Sequence, residues 1–472
     1  MGLLTPQIDR DFTGGIYLPP LGDIPPLDHI EPVDYEDTLF LPLTIDADTM
    51  MDLVVNKGQQ VGWQALLARA GGRYLYAPRA GIIGEVLAAG GPSGVGAAGP
   101  AHRQVLTLKQ IPDTHRDYAH IKSEYRELIS DPTLTATGDE VHPPDERRSM
   151  LRKRVVWDKI EQAGIVLTEN GQPLAPWLKR LAHEKVKTVV ANATPLEATL
   201  NGCLAILARW PEQVFVGLAI LKTWLEAEQA IMAYPHGFNI DKSVAEQWQV
   251  KCVAVSEKYP QARSGSVLRS LKNQKQMGKW DDRKDRAVVF EIQVLRQVER
   301  AVLAGEMPTE RIITVSGDGV RRPGHFLAPL GMPLKVLLEK AQMYQDSACV
   351  VEGSSLAGNA VDAPQTVITP TSENYTVIRQ IKREPPHNCI RCGWCLADCP
   401  AGIDPMRLYK LGQMRQYDRA QRLSVAACME CGICSYICPS HLPIMEQIRT
   451  IKLVLKGKIE PQHQTSPTDT FV

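Results

Sequence analysis

The chain has 472 residues, of which 44% are hydrophobic, so several cores and three or four domains are expected. Its 53 basic and 53 acidic residues cancel, which indicates neither nucleic acid nor an anionic membrane surface as a partner. Most of the 11 cysteines lie in two short strings near the C-terminus, a usage that favours a reducing compartment over an exported disulfide protein.

The N-terminal segment lacks the pattern of a secretory signal peptide. Between Met1 and Asp11 there is no basic start followed by an apolar stretch. The longest apolar runs, such as residues 214–221, are much shorter than the roughly 20 residues that a membrane-spanning helix needs. We therefore expect a protein that is soluble by itself and that can be peripheral on a membrane complex.

The first part of the chain is predicted to be an extended arm, a β domain and a connector. The arm, residues 1–37, is rich in Gly and Pro. Residues 38–111 alternate β-type runs with Gly-containing turns, and the predicted strands are 53–55, 65–68, 74–77, 82–86 and 105–108. The G-x-G-x-x-G at 94–99 precedes Pro100 and no apolar helix, which favours a hairpin loop over a dinucleotide fingerprint. Residues 112–150 are charged and are predicted to be the connector.

The middle of the chain changes to alternating strands and helices. Over residues 151–305 this pattern is typical of an α/β layered domain with a largely parallel sheet. The predicted strands are 186–191 and 214–216, and the predicted helices are 196–209 and 218–233. Residues 306–375 return to β character, with a predicted strand at 311–315 and a predicted helix at 334–344.

The last predicted domain, 376–458, contains both cysteine strings. Apolar residues at helical spacing predict one amphipathic helix over 406–423. After Pro443, a second apolar stripe predicts another helix that either docks on a partner or packs on its own domain. Residues 459–472 are polar and are predicted to be a disordered tail.

Both cysteine strings have the spacing C-x2-C-x2-C-x3-C followed by proline. The first string is Cys389, Cys392, Cys395 and Cys399, and the second is Cys428, Cys431, Cys434 and Cys438. This is the bacterial-ferredoxin pattern for cubane [4Fe-4S] clusters, so the sequence predicts two clusters that carry single electrons. Structural zinc sites are the alternative, but they usually use paired C-x2-C knuckles separated by longer loops.

In two-cluster ferredoxins the fourth cysteine of each string binds the other cluster. One cluster is therefore predicted to bind Cys389, Cys392, Cys395 and Cys438, and the other to bind Cys428, Cys431, Cys434 and Cys399. The isolated cysteines are predicted to be buried core thiols: Cys203, Cys252 and Cys349. No catalytic residue is predicted, because no nucleophile-and-base set can be read from the sequence.

Segments spread over nearly the whole chain resemble the RnfC family, the peripheral subunit of the Rnf electron-transport complex. The matching segments are FTGGI at 12–16, VVNKGQQVGWQALLA at 54–68, AP at 77–78 with the turn at 80–81, KYPQ at 258–261, ERIITVSG at 310–317 and CMECGICSYICPS at 428–440. The resemblance implies a multidomain α/β plus β fold. Its parts would be a barrel-sandwich hybrid, an α/β domain like the flavin subunit of respiratory complex I, a β-grasp (SLBB) domain and an α-helical ferredoxin domain.

The family binds FMN through a glycine-rich loop, G-x-G-G-A-x-F-P, in the α/β domain. Glycines let backbone amides approach the flavin phosphate closely. The corresponding stretch, 163–173, has lost most of these glycines and places Glu169 where a phosphate would lie. This difference argues against a working flavin loop.

Two further elements of the family's flavin and NADH site are also altered. N-G/A-A-E-C-E-P corresponds to 192–198, where Asn192 and Glu197 remain and Pro195 replaces the first acidic residue. N-V-G-T falls on 291–294, which reads EIQV. We therefore expect that FMN is not retained, and we assign no flavin- or nucleotide-binding residue.

These features lead to three hypotheses of function. The first is a flavin-poor, RnfC-like electron relay that passes single electrons through two [4Fe-4S] clusters. The second is an NADH-oxidising, FMN-containing subunit of an NADH:ferredoxin oxidoreductase, in which case the chain is an enzyme. The third is a scaffold subunit with structural clusters. The resemblance implies redox subunits in a membrane-embedded complex as partners, or a soluble ferredoxin or flavoprotein, and a cytoplasmic position on the inner face of the cell membrane.

Overall fold

The computed structural model describes residues 12–34, 38–44, 50–88, 104–110, 146–281, 284–381 and 384–457, with side chains from Lys153 onward in the first helix. Within these residues the chain forms four sheets and a helical C-terminal region. The glycine-rich loop at 94–99, most of the predicted connector at 112–150 and the predicted tail at 459–472 lie outside the described residues.

The N-terminal part is built from short strands. They are β1 (Ile30–Pro32), β2 (Thr38–Pro42), β3 (Asp52–Leu53), β4 (Gln60–Val61), β5 (Leu66–Ala70), β6 (Arg73–Tyr76), β7 (Gly81–Ala88) and β8 (Gln104–Gln110). Two antiparallel sheets result, in the orders β2-β8-β7-β4 and β3-β5-β6. Each predicted strand overlaps an observed one, while β2 and β4 are not among the predicted strands.

The α/β region has a four-stranded sheet between helices. In chain order it contains α1 (Glu146–Ala163), α2 (Leu174–Leu181), β9 (Val186–Asn192), α3 (Gly202–Arg209), α4 (Pro211–Trp224), β10 (Gln229–Pro235), α5 (Lys242–Gln247), β11 (Val250–Val255), α6 (Ser264–Asn273), β12 (Arg286–Glu291), α7 (Ile292–Glu299) and a π-helical turn at Arg300–Ala304. The strand order is β11-β10-β9-β12 and all pairs are parallel, as predicted. Val189 and Val190 belong to different apolar clusters, which shows that both faces of the sheet are covered.

Two element predictions in this region are wrong. The predicted strand 214–216 lies inside α4, and residues 229–233, predicted as helix, begin β10. The run 214–221 is continuously apolar, and such a run does not distinguish a buried helix from a buried strand. Pro211 in the first turn favours the helix, and Glu226, with a φ of 54°, follows its end.

A six-stranded sheet follows the α/β region. Its remaining elements are β13 (Glu310–Ser316), β14 (Gly324–Pro329), α8 (Leu334–Lys340), β15 (Cys349–Glu352), β16 (Asn359–Val361) and β17 (Asn374–Ile378). The strand order is β1-β14-β13-β17-β15-β16, so the N-terminal arm supplies the edge strand, parallel to β14. The predicted strand 311–315 is confirmed within β13, while the predicted helix 334–344 ends earlier, just before Gln342 at a φ of 53°.

The six-stranded sheet and the N-terminal β region share one apolar core. Leu41 and Leu108 from the first pack in the same cluster as Ile313 and Phe326 from the second. The predicted boundaries at 111 and 306 therefore separate stretches of sequence whose hydrophobic residues are buried together. Their assignment to a barrel-sandwich hybrid and a β-grasp domain stays a prediction.

The C-terminal region is helical. It contains α9 (Trp394–Ala397), α10 (Pro405–Gln413), α11 (Tyr417–Arg422), a 3-10 turn at Val425–Ala427, α12 (Ile433–Tyr436) and α13 (Ile444–Leu455). The prediction of one helix over 406–423 is wrong, because Arg415 adopts a φ of 54° and separates α10 from α11. The helix predicted after Pro443 is α13, and its apolar stripe, including Ile448 and Ile451, packs within its own region.

No single helix among the described residues combines the length and the apolar composition needed to cross a membrane. The bent pair α3 and α4, which meet at 98°, meets those two requirements only when taken together.

Candidate iron–sulfur centres

The two cysteine strings fold into loops with the same backbone conformation. We call residues 389–395 the first loop and residues 428–434 the second loop. Arg391 in the first loop has a φ of 58°, and Glu430 at the equivalent position of the second has a φ of 54°. Left-handed conformations of this kind are uncommon for residues with a side chain. Their recurrence at the same position therefore indicates one structural requirement in both loops.

The left-handed residue of each loop aims its backbone amide at a cysteine sulfur. The N–H of Arg391 donates to Sγ of Cys389 at 3.4 Å. The N–H of Glu430 donates to Sγ of Cys428, also at 3.4 Å. Hydrogen bonds to sulfur stabilise a thiolate and are among the factors that set cluster potentials.

Each loop then turns into a short helix through a left-handed glycine. Gly393, with a φ of 81°, precedes α9, and Gly432, with a φ of 82°, precedes α12. Glycine adopts this conformation without the steric cost that other residues have. The sequence C-G-x-C in both strings therefore has a clear conformational reason.

Cysteines of the first loop lie with the last cysteine of the second string. Burial raises the pKa of the Cys395 thiol, and nearby negative charges raise it further. Those charges belong to Asp404, Cys392, Cys438 and Cys389. The hydroxyl of Ser440 also donates to the carbonyl of Asn388 at 2.9 Å, so the structure brings the end of the second string, with Cys438, to the first loop.

Cysteines of the second loop lie around a cavity with the last cysteine of the first string. The cavity has a volume of about 20 Å³ and is partly open to solvent. Its thiols are those of Cys399, Cys428, Cys431 and Cys434. Apolar side chains, including Ile433 and Ile448, form much of the remaining wall. The structure thus brings Cys399 to the second loop.

The second group of thiols resists ionisation in the absence of a cation. Burial raises the pKa of Cys431 to about 11, and the thiolates of Cys428 and Cys399 add to the shift. Burial also raises the pKa of Cys434, with repulsion from Cys431 and the same two thiolates. Iron supplies the positive charge that four adjacent thiolates need, and its binding releases their protons.

The donor sets fit cubane clusters. Each group has four thiols, one from outside its loop, and the cavity at the second group is largely apolar. A cubane distributes its four thiolates over four irons, whereas zinc draws its ligands around one ion. In the described part of the chain, no three His, Cys, Asp or Glu side chains converge closely enough to hold a single ion.

The two loops differ in their surroundings. In the first loop Cys392 is exposed, and Ile390 and Trp394 expose 68% and 54% of their surface. In the second loop Cys431 exposes 8% and Ile433 only 1%. Solvent therefore reaches the first group of cysteines much more easily than the second.

The second loop is covered by the α/β region and by the six-stranded sheet. The hydroxyl of Tyr259 donates to the backbone carbonyl of Cys431 at 2.6 Å and lies 3.1 Å from Oγ of Ser354. Gly432 lies so close to the 353–358 turn that an added Cβ would be 2.2 Å from the carbonyl oxygen of Leu356. Both contacts fix the second loop against other parts of the molecule.

Helix α13 adds positive charge beside the second loop. Nζ of Lys452 donates to the carbonyl of Cys428 at 2.6 Å and pairs with Glu430 at 2.8 Å. Arg449 pairs with the same Glu430 at 3.1 Å and donates to the carbonyl of Ala357 at 2.7 Å. These cations lower the pKa of Glu430 against the effect of burial, which raises it.

The N-terminal arm also reaches the second group of cysteines. Gly14, with a φ of 73°, lies against Cys399, where an added Cβ would be 2.7 Å from the backbone carbonyl. The N–H of Gly15 donates to the carbonyl of Asp398 at 2.9 Å. Ile16 exchanges two backbone hydrogen bonds with Tyr259.

Sequence reasoning missed the residues that support the second loop. The only sign of Tyr259 in the sequence is its place in the segment KYPQ, and Lys452 is visible only as a charge in the last predicted helix. The isolated cysteines predicted as core thiols, Cys203, Cys252 and Cys349, are partly buried. Burial raises the pKa of Cys203, and it raises that of Cys252 to about 11.

A larger cavity lies at the carboxyl ends of β9 and β12, where ligands of parallel sheets commonly bind. Its volume is about 400 Å³, and it is partly open to solvent. Asn192 and Glu291, paired in register across β9 and β12, both line it. This is the place of the flavin site that the sequence resemblance implies.

Polar side chains in and beside this cavity make hydrogen bonds within the protein. The Asn192 side chain donates to the carbonyl of Ala262 at 2.7 Å and accepts the N–H of Thr194 at 3.1 Å. The Glu197 carboxylate accepts hydrogen bonds from Ser354 and Ser355. The two side chains that remain from the family element are therefore engaged within the protein.

Comparison with protein families identifies the C-terminal region. Residues 381–439 match a family described as the 4Fe-4S dicluster domain. The match includes both complete cysteine strings.

Curated relatives are named as the C subunit of an ion-translocating oxidoreductase complex. The protein of Edwardsiella ictaluri is 26% identical over 95% of this chain and 54% of its own length. That of Yersinia pestis bv. Antiqua is 24% identical over 87% of this chain and 64% of its own length. That of Buchnera aphidicola subsp. Acyrthosiphon pisum is 23% identical, covering 63% and 65% respectively. The chain thus spans between one half and two thirds of the length of these relatives.

Two crystal structures of a NAD+-reducing [NiFe]-hydrogenase show limited similarity to this chain. The air-oxidised form has a TM-score of 0.44 and 14% identity, over 67% of this chain and 64% of that chain. The H2-reduced form has a TM-score of 0.44 and 13% identity, over 67% and 69% respectively.

Proposed function

We propose, from the premise that this chain is an RnfC-like relative of ion-translocating oxidoreductase subunits with a 4Fe-4S dicluster domain, that it is an electron-transfer subunit with two [4Fe-4S] clusters. The observation that carries the proposal is the crosswise grouping of cysteines. Cys438 lies with the first loop and Cys399 with the second. Such sharing places two clusters side by side in one domain.

The clusters would be held by residues in matched roles. Cys389, Cys392, Cys395 and Cys438 would bind the first, and Cys428, Cys431, Cys434 and Cys399 the second. Each cluster, when bound, accepts and releases one electron at a time. The amides of Arg391 and Glu430 orient the first sulfur of each loop, and Lys452 places positive charge beside the second group.

The different solvent exposure of the two loops supports different roles for the two clusters. The first loop presents Cys392 and apolar side chains to solvent, so the first cluster would exchange electrons with an external redox protein. The second loop is covered by Tyr259 and the 353–358 turn, so the second cluster would exchange electrons mainly with the first. Electrons cross short distances much faster than long ones, which makes the exposed cluster the point of exchange.

The relay would work without a flavin in this chain. The large cavity lies where the family resemblance implies a flavin site, but the side chains of Asn192 and Glu197 make hydrogen bonds within the protein. Most of the glycines that would admit a phosphate are missing over 163–173. Electrons would therefore arrive as single electrons from another redox protein.

The partners would be other redox subunits of a multi-subunit complex. The relatives are named as subunits of such a complex, and this chain would occupy a peripheral place on it at the inner face of the membrane.

The test is an anaerobic preparation of the full chain with iron and acid-labile sulfide measured per protein. The expected result is about eight irons per chain, no zinc, and two interacting paramagnetic signals after dithionite reduction. NADH alone should leave the clusters oxidised. A sample that binds zinc in place of iron, or whose clusters resist dithionite, contradicts the proposal.

The larger cavity favours one further candidate, an NADH-oxidising flavoprotein. Its volume of about 400 Å³ lies within the usual range of small-molecule sites. Flavin fluorescence after denaturation of the native protein separates the two functions. One flavin per chain, together with bleaching of the clusters by NADH, would replace the flavin-free relay with this enzyme.

A further inference from the structure

The side chain of Glu291 reaches from the end of β12 to the turn at 168–170. Its Oε2 accepts the backbone N–H of Thr168, and its Oε1 accepts the backbone N–H of Glu169, both at 2.8 Å. Each carboxylate oxygen thus has its own amide donor. Adjacent backbone amides that point at one anion are the arrangement by which protein loops bind phosphate.

A buried arginine lies on the other side of the same turn. Arg311 exposes 1% of its surface, and its Nη2 donates to Oγ1 of Thr168 at 2.9 Å. Its Nε donates to the carbonyl of Ser372 at 3.1 Å, which fixes the guanidinium in place. Two amides with an arginine behind them form a built anion site.

Two carboxylates lie near Arg311. Burial lowers the pKa of Arg311, and the carboxylates of Glu373 and Glu291 raise it. Burial, with repulsion from Glu291, raises the pKa of Glu373 to about 7 against the attraction of Arg311. Of the two carboxylates, Glu291 is the one that accepts the backbone N–H groups of the turn.

We propose that the carboxylate of Glu291 is a built-in substitute for a phosphate group and closes this anion site to phosphorylated ligands. The turn at 168–170 lies in the stretch that corresponds to the family's glycine-rich loop, and Glu291 begins the stretch that corresponds to N-V-G-T. Two altered elements of the flavin site thus bind each other. The carboxylate of Glu291 thus takes the position that the phosphate of a flavin would occupy.

The charge of the cavity strengthens this exclusion. Besides Glu291, the described lining contains Glu169, Glu352 and Glu373, against one lining arginine, Arg263. Burial raises the pKa of Glu352 and of Glu373. A phosphate that approached the turn would meet the carboxylate of Glu169 and would have to displace Glu291. The cavity is therefore open to neutral or cationic ligands and closed to nucleotide phosphates.

The test measures hydrogen exchange at the backbone amides of Thr168 and Glu169, and the binding of inorganic phosphate, in the full chain. In Glu291→Ala, amide hydrogen exchange at Thr168 and Glu169 should accelerate about tenfold or more, because each amide loses a hydrogen bond to a charged acceptor. Inorganic phosphate should then bind, as followed by phosphorus NMR, while the wild-type protein binds none. Glu291→Gln, which keeps the side-chain size and one acceptor oxygen, should give intermediate exchange.

Glu169→Ala is the matched control. It removes a carboxylate from the same cavity but leaves both amides bonded to Glu291, since the Glu169 side chain pairs with Ser264. It should bind no phosphate and should keep slow exchange at the two amides. Phosphate binding by this variant would assign the exclusion to general charge and would overturn the specific role of Glu291.

The inference rests on the proposed flavin-free function, and its failure can be told apart from failure of that function. Unchanged amide exchange in Glu291→Ala, or free amides that still bind no phosphate, overturns the inference and leaves the relay intact. Flavin bound to the native protein overturns the flavin-free function as well. Loss of iron from the native protein concerns only the relay.

Discussion

The first loop, 389–395, and the second loop, 428–434, trace the same backbone in opposite surroundings. No atom of the described residues lies within 4 Å of the place where a side chain of Gly393 would begin, whereas Gly432 at the same position lies against the carbonyl of Leu356. Trp394 of the first loop is half exposed, and its counterpart Ile433 is buried. Ligand geometry is thus repeated, while access to solvent is not.

This comparison separates what a cysteine motif specifies from what the rest of the molecule specifies. The spacing determines how three thiols and one amide are arranged, and both loops share that arrangement. Exposure, nearby charge and hydrogen bonds tune a cluster's potential, and these come from distant residues such as Tyr259 and Lys452. Two clusters bound by the same motif should therefore differ in potential.

The largest effects should come from replacing single ligands. Cys392→Ser and Cys431→Ser should each lower the iron content from about eight to about four per chain. Cys399→Ser should leave the same remaining paramagnetic signal as Cys431→Ser, although Cys399 belongs to the first string. A Cys399→Ser spectrum that matches Cys392→Ser instead would show that each string binds its own cluster.

The next effect concerns the two equivalent glycines. Gly393→Ala should cost about 1–2 kcal/mol of unfolding free energy, the usual cost of a left-handed residue with a side chain. Gly432→Ala has the same conformational cost and adds the collision with Leu356, so the loss should be about 3 kcal/mol or more. Denaturant unfolding of the cluster-loaded chains measures both. Equal losses would mean that the second loop is not held against the 353–358 turn.

A smaller effect is expected from the tyrosine that ties the second loop to the α/β region. Tyr259→Phe removes the hydrogen bond to the Cys431 carbonyl and should lower the unfolding free energy by about 1–2 kcal/mol. Redox titration should show a shifted potential for the second cluster and an unchanged one for the first. Tyr436→Phe, at an exposed tyrosine, is the control and should change stability by less than about 0.5 kcal/mol.

The smallest effect is electrostatic. Lys452→Met removes a positive charge beside the second loop, and reduction, which adds negative charge, should become harder there. The potential of the second cluster should fall by a few tens of millivolts. Lys456→Met changes an exposed lysine one turn further along the chain and should leave both potentials unchanged. Equal shifts in the two variants would exclude a local role for Lys452.

The chemistry of the chain could be predicted from sequence because its determinants are local. Cysteine spacing and the glycine after the second cysteine of each string describe the ligand loops, and the RnfC resemblance is confirmed by the curated oxidoreductase relatives. The parallel sheet followed from alternating patterns. Burial of one loop could not be predicted, since Gly393 and Gly432 both lie in a C-G-x-C sequence and the contact of Gly432 with Leu356 depends on tertiary structure.

The predicted elements were wrong where the pattern of apolar residues along the sequence is ambiguous. The apolar run at 214–221 is buried on all sides, so its periodicity did not reveal α4. The apolar stripe at 406–423 continues past Arg415, but the left-handed conformation of this residue separates two helices. Loss of the flavin motifs was visible in the sequence, but the bond between Glu291 and the turn at 168–170 depends on tertiary structure.

The contact of Gly14 with Cys399 has a consequence for the order of assembly. The ribosome makes the arm before the two cysteine strings, so the arm stays undocked until Cys399 has emerged. Late binding of iron to the cysteines delays the docking of the arm, because the backbone of Cys399 forms part of the contact with Gly14. Protease cleavage near residues 14–16 should therefore report, in living cells, what fraction of the chains has matured.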